Sequence, residues 1–329
     1  MTQAHTLTVL AIYTKSKNAP SPAILDQLTE LRKLGITIDT VEIDRSDKKN
    51  YLRAARDVFA KNFSGQAYDV VHAYYGHCGL VGAMYRRAPM VITFQGSDLL
   101  GGKEDQMHRK DGMIGDLAIK FARGVIVMSE QMNRLSGRDD ALTIPFGINT
   151  DIFYPRDQIE ARQAMSLPSD KKLVLFPWDP SREEKNFHIA KNAIEQLKAT
   201  MAVEIVPIFG KTRDEVALYM NACDVMVLVS DHEGSPVAVR EAMGCNLPVV
   251  SVDVGDVADL LDGVTPSAIV ERDPAMVAEA LGSILASSER SNGHAKMLKR
   301  DARWSAEQVL PLYQRLLKRG GQEQQLVSD

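Results

Sequence analysis

The chain has 329 residues, 45% hydrophobic and 25% charged, with a net charge of −4, enough for two domains of common size and far from the basic balance of a nucleic-acid-binding protein, so no nucleic-acid partner is expected. Cys78, Cys223 and Cys245 are too few and too scattered for a disulfide framework or a zinc site and suit buried thiols in a reducing cytoplasm. The opening stretch MTQAHTLTVLAIYTKSKN carries no basic leader, and no apolar run has the length of a membrane span.

In chain order, short β-branched runs at 7–13, 37–43, 69–75, 89–95 and 124–129 predict strands, and helical patterns lie between them. The helix over 21–35 has Ser21 to cap it, Pro22 in its first turn and Gly35 to end it. The run KKNYLRAARDVFAKNF (48–63) mixes basic and aromatic residues. Leu52, Ala55, Val58, Phe59 and Asn62 mostly share one helix face, which predicts core packing, with peripheral contact to the inner face of a membrane as the second reading. His72 and His77, flanking AYYG, fit strand-end packing and surface exposure better than a metal or acid–base pair. After a Pro- and Gly-interrupted linker at 144–157 the alternation restarts, with strands at 172–178, 202–209, 224–230, 247–252 and 267–271. Residues 303–319 place Trp304, Val309, Leu312, Tyr313, Leu316 and Leu317 near one helical face that Pro311 should bend or interrupt. The tail GGQEQQLVSD is expected to be disordered.

Strands alternating with helices imply parallel sheets covered on both faces, hence an α/β chain of two doubly wound domains. In such folds ligands bind beyond the carboxyl ends of the strands, which directs attention to SDHEGSPVAVREAMGCNLPVV, leaving the strand at 224–230. Ser235 is a good N-cap, Pro236 a good first helical residue, and Gly234 admits close backbone approach. The helix start would hold a phosphate. Glu241 shares a predicted inward face with Val237, Ala238, Gly244 and Cys245, and a carboxylate there needs a partner.

HEGSPVAVREAMGCNLPVVSVDVGDV resembles the E-x7-E segment of retaining GT-B glycosyltransferases of family 4. Agreement extends to IPFGINTDIFYP, DPSREEKNFHIAKNAI, YMNACDVMVLVS, YDVVHAYYG and MVITFQGSDLLG. The resemblance implies two Rossmann-like doubly wound parallel-sheet domains facing across a cleft: residues 1–146 on the acceptor side, 147–303 for a nucleotide-sugar donor, and a helix at 304–319 packing back on the first domain before a tail at 320–329. It implies transfer of a sugar, with retention, from a nucleotide-diphosphate donor expected to be UDP-linked to a glycan, lipid-linked or small-molecule hydroxyl. Glu233 would face the transferred sugar, and Lys185 and Arg182 would neutralise the leaving diphosphate. Glu241 would hold the ribose, and the backbone of Gly234, Ser235, Pro236 and Val237 would meet sugar and phosphate. Gln95, Gly96, Ser97 and Asp98 would lie on the acceptor and sugar side. No cofactor and no metal are expected, because no Asp-x-Asp pair occurs. The sequence departs from the family where Gln95 replaces the usual His, where Pro180 stands at the usual Arg, and where TKSKNAPSP lacks the usual Gly-Gly. The alternatives are a GT-B nucleotide-sugar epimerase, whose acid–base pair is not evident, and a non-catalytic nucleotide-sugar-binding protein.

Overall fold

The computed structural model describes residues 6–16, 19–103 and 108–328, with side chains through Lys318. The chain divides into two compact units, one of residues 1–146 with 302–329 and one of residues 147–301.

In the first unit the order is β1 (Thr8–Ser16), β2 (Ala19–Pro20), α1 (Pro22–Lys33), β3 (Thr37–Asp44), α2 (Lys49–Ala60), β4 (Val70–Tyr74), α3 (Gly76–Gly82), β5 (Met90–Thr93), α4 (Ser97–Leu100), α5 (Arg109–Ala118), β6 (Gly124–Val127), α6 (Glu130–Leu135) and β7 (Leu142–Thr143). The strands form one sheet in which β3 pairs with β1, followed by β4, β5, β6 and β7, all parallel, while β2 folds back antiparallel on β1. The order reverses direction between β1 and β4, as in doubly wound folds. Because parallel crossovers are right-handed, α1 lies on one face of the sheet and α2, α3 and α5 on the other. The central strands are buried on both faces, which explains why they read as unbroken apolar runs such as Val9–Ile12 and Val125–Val127, while edge strand β3 is partly exposed.

The second unit contains α7 (Gln158–Ala164), β8 (Lys172–Phe176), α8 (Phe187–Leu197), β9 (Val203–Pro207), α9 (Arg213–Ala222), β10 (Val225–Leu228), α10 (Val237–Gly244), β11 (Val249–Ser251), α11 (Val257–Leu261), β12 (Ala268–Ile269), α12 (Pro274–Ser287) and α13 (Gly293–Met297). Its sheet is wholly parallel in the order β12-β11-β10-β8-β9, so its reversal falls between β8 and β10. The chain then returns to the first unit as α14 (Ala302–Ser328), which packs against α1 and β4.

Several local expectations change. Helix α14 starts at Ala302 and runs through Pro311 without interruption and on to Ser328, across the stretch expected to lack order. Its buried stripe is Ala306, Val309, Leu312, Tyr313 and Leu316, while Pro311 sits on the exposed side. The stretch expected to be a linker is built into the cores: Ile144 and Phe146 are buried in the first unit, and Ile148 and Phe153 in the second. Of the predicted core face of α2 only Val58 is buried, joined by Ala54, while Leu52 and Phe59 are exposed and Ala55 and Asn62 half-buried. His72 is fully buried, with Nδ1 2.5 Å from Tyr313 Oη and Nε2 2.7 Å from Thr93 Oγ1, and burial lowers its pKa to about 3.

Candidate active site in the second unit

The reversal between β8 and β10 places two loops side by side beyond the carboxyl ends of their strands. The loop after β8 carries Arg182 and Lys185, and the loop after β10 carries Glu233 and Gly234. They are stitched together: Asp231 donates its amide to Glu184 O at 2.9 Å, and Asn186 donates Nδ2 to Val229 O at 3.1 Å and to Asp231 Oδ1 at 2.7 Å. Asn186 holds a left-handed conformation (φ 53°), which its short amide side chain tolerates, and this turns the chain into α8.

Lys185 is only 5% exposed, and a buried ammonium needs a counter-charge. It donates to Glu233 Oε1 at 2.6 Å, and its Nζ lies 4.9 Å from the centre of the Trp178 ring. Two of the three residues expected from sequence to be catalytic, Lys185 and Glu233, are thus an ion pair, beside an aromatic face that sequence inspection did not single out. Arg182 is engaged elsewhere, donating Nε to Glu184 Oε1 at 2.7 Å.

The turn into α10 differs from expectation. The helix begins at Val237 with Pro236 in the cap position, and no side chain caps it. Ser235 instead donates Oγ to Asp256 at 3.1 Å and accepts from Arg240 Nη2 at 2.8 Å. The first-turn amides of α10 therefore remain uncapped by any side chain, and such groups suit an anion.

The inward face of α10 is also rotated from the predicted one. Val239, Arg240, Ala242, Met243 and Gly244 are buried, whereas Glu241, Val237 and Ala238 lie half-buried at the rim. The buried charge in this helix is therefore Arg240, 1% exposed, whose partner is Asp256. Burial lowers the Arg240 pKa and raises that of Asp256, and each charge opposes the other's shift. Asp256 follows Gly255, which has φ +62°, and a Cβ there would stand 3.0 Å from both Glu233 O and Gly234 O. From the loop after β12, Arg272 donates Nη2 to Ser230 O at 2.7 Å. Four strand-exit loops thus meet around Glu233. Sequence reading missed Trp178, Arg240, Asp256 and Arg272, although Trp178 ends a predicted strand and Asp256 and Arg272 follow within four residues of one.

In the first unit, Asp98 is fully buried and accepts the amides of Gly76, Gln95 and Gly96 at 3.0, 3.0 and 2.9 Å. It organises the loops after β4 and β5 and has no surface to offer a sugar. Burial raises its pKa to about 6 against those backbone bonds. Ser97 Oγ lies 2.7 Å from Tyr75 Oη, which donates to Asp111 at 3.2 Å, and Gln95 is half-buried at the strand exit. Close packing of α4 on α5 is enforced at Gly115, where a Cβ would stand 1.8 Å from Asp98 O.

A model of glycosyl transferases group 1 matches residues 173–287, and a glycosyl transferase 4-like model matches residues 23–129. Among curated proteins, the putative teichuronic acid biosynthesis glycosyltransferase TuaC of Bacillus subtilis is 28% identical over 65% of this chain and 60% of its own length. D-inositol 3-phosphate glycosyltransferase of Geodermatophilus obscurus is 25% identical over 70% and 62%. The chain thus spans about 60% of the length of these curated relatives. Among solved structures, sucrose-phosphate synthase of Thermosynechococcus elongatus aligns with a TM-score of 0.73 at 19% identity, covering 95% of this chain and 99% of that one. Anabaena HepE in complex with UDP aligns with a TM-score of 0.70 at 16% identity, covering 94% and 100%. At these identities the likeness is one of fold.

Proposed function

Because the chain belongs to the group 1 and 4-like glycosyl transferases and has their GT-B fold, we propose that it transfers a sugar from a nucleotide-diphosphate donor, UDP-linked, to an acceptor hydroxyl with retention of configuration. The observation that carries this reading is the Lys185–Glu233 pair at the reversal point of the second sheet, beside the uncapped start of α10.

A diphosphate arriving there competes with Glu233 for the Lys185 ammonium and takes the α10 amides as donors. Both groups stabilise charge as it grows on the leaving group, so no metal is required. The bond from the anomeric carbon to the phosphate oxygen breaks with its electron pair going to the diphosphate. The acceptor oxygen then bonds to the same face of that carbon, and its proton passes to the departing phosphate oxygen. Glu233, released from Lys185, orients the sugar and stabilises its positive charge, while Glu241 at the rim accepts the ribose hydroxyls. Three buried free cysteines suit a reducing, cytoplasmic setting.

The test is incubation of the purified protein with UDP-, GDP- and ADP-sugars in excess EDTA while free nucleoside diphosphate is measured. Slow release from the UDP-sugars is expected. Release that EDTA abolishes and Mg²⁺ restores would overturn the metal-independent step, and no release with or without metal would overturn the enzymatic reading.

A further inference from the structure

On the first unit, the helical layer of α2, α3 and α5 exposes apolar side chains in an organised way. Of the seven large hydrophobic side chains exposed among the described residues of this unit, six lie on α2, on α5 and on the short turns that extend them. On α2 and its extension these are Leu52 (74% exposed), Phe59 and Phe63 (79%), spaced i, i+7, i+11, with the two phenylalanine rings edge to face at 5.5 Å. They lie about a third of a turn or more from buried Ala54 and Val58, so they face solvent while the small residues face the layer beneath. On α5 and its extension Met113 (63%), Leu117 and Phe121 repeat at i, i+4, i+8, away from buried Gly112, Gly115 and Ala118.

Cations border both stripes. Lys49, Arg53 and Arg56 are exposed on α2, and Arg109, Lys110 and Lys120 on α5 and its extension. Among the described residues the opposing acids are few: Asp57 is the exposed acid on α2, Asp116 on α5 is bound by Lys103 at 2.8 Å, and Asp111 is half-buried and accepts from Tyr75. A protein partner would favour a face depleted in lysine, whereas apolar side chains rimmed by Lys and Arg match the headgroup region of an anionic bilayer. Both α2 and α5 pack on α3, so they stand at most about two interhelical spacings (16–20 Å) apart, on one side of the sheet. Two such stripes on one helical layer give the unit two apolar contacts for one surface.

We propose that α2 and α5 form a bilayer-docking face that inserts these six side chains among anionic lipid headgroups while the flanking Lys and Arg pair with lipid phosphates. The test is co-sedimentation of the full chain with vesicles of phosphatidylcholine alone and of phosphatidylcholine mixed with phosphatidylglycerol. Binding to the mixed vesicles only, weakening as salt rises, is expected. A Leu52→Ser/Phe63→Ser/Met113→Ser variant should bind at least about tenfold more weakly, and Arg53→Glu/Arg56→Glu should lose about fivefold or more per cation. Circular dichroism should show both variants folded, since all five side chains are exposed. Wild-type protein that ignores anionic vesicles, or a serine variant that binds as well as wild type, would overturn the proposal. So would a lipid-free dimer in sedimentation equilibrium that the serine variant dissociates, because a second copy would then cover the face.

Discussion

Replacing Arg240 with Met keeps most of the side-chain volume inside α10 but removes the charge that faces Asp256. Arg240 is 1% exposed and Asp256 is buried beside it, so the orphaned carboxylate has little access to water. Breaking a buried pair at one end typically costs about 3–5 kcal/mol, a large share of the roughly 5–15 kcal/mol available to a folded domain. Removing both charges with Arg240→Met/Asp256→Leu should recover most of that loss, because no unpaired charge is then left. Urea unfolding followed by Trp178 fluorescence reports on the correct unit, since the other tryptophan, Trp304, belongs to the first. A double-mutant cycle should give a coupling of at least about 2 kcal/mol. The recovered double variant should nonetheless bind UDP more weakly, because Ser235 has lost both partners that hold the turn after Glu233. Single variants costing under about 1 kcal/mol with additive effects would refute the pair as a structural element of the site.

Three further outcomes follow from specific contacts. Gly255→Ala should destabilise the second unit by about 1–2 kcal/mol, as a left-handed residue acquires a Cβ against the Glu233 and Gly234 carbonyls; urea unfolding with unchanged stability would contradict this. Lys185→Ala should lower donor turnover by about 100-fold or more while weakening donor binding less, since charge on the leaving group grows toward the transition state; steady-state kinetics with equal losses in affinity and none in turnover would make it a binding residue. His72→Gln should change the pH profile of stability in the first unit. His72 has a folded pKa of about 3 against 6.5 unfolded, so its contribution is complete above pH 6.5 and is lost as pH falls toward 3, by about 2 kcal/mol at pH 5. Asp98 has a folded pKa of about 6 against 3.8, so its contribution is present below 3.8 and lost as pH rises to 6. The two slopes oppose each other between about pH 4 and 6, and His72→Gln should unmask the Asp98 slope as stability that falls with rising pH. Unfolding followed by Trp304 that keeps the wild-type profile would contradict it.

The strands were legible because parallel sheets buried on both faces turn every position apolar, as in the runs of β1 and β10. The two-residue strands β2 and β7 were not, since neither lies within a β-branched run of strand length, whereas equally short β12 lies within the predicted run at 267–271. Glu233 and Lys185 could be found individually from their loops, but their pairing needed the β8–β10 neighbourhood, which depends on strand order. Arg240 was missed because Gly244 and Cys245, buried at the helix end, drew the predicted inward face of α10 toward Glu241. On α2 the expected core face shares only Val58 with the observed one: close packing on the layer beneath selects small Ala54 and Val58 and leaves Leu52 and Phe59 outside. Periodicity identifies an apolar stripe without saying which side of the helix meets the protein.

The most direct test of the proposed donor seat is calorimetric titration of UDP into the wild-type chain and into Glu241→Ala. A carboxylate that accepts ribose hydroxyls is worth roughly 1.5–3 kcal/mol, so the variant, still folded by circular dichroism, should bind UDP about 10- to 150-fold more weakly. Equal affinity in the two proteins, or no measurable UDP binding to the wild type, would contradict the placement of a nucleotide-sugar donor at the rim of α10.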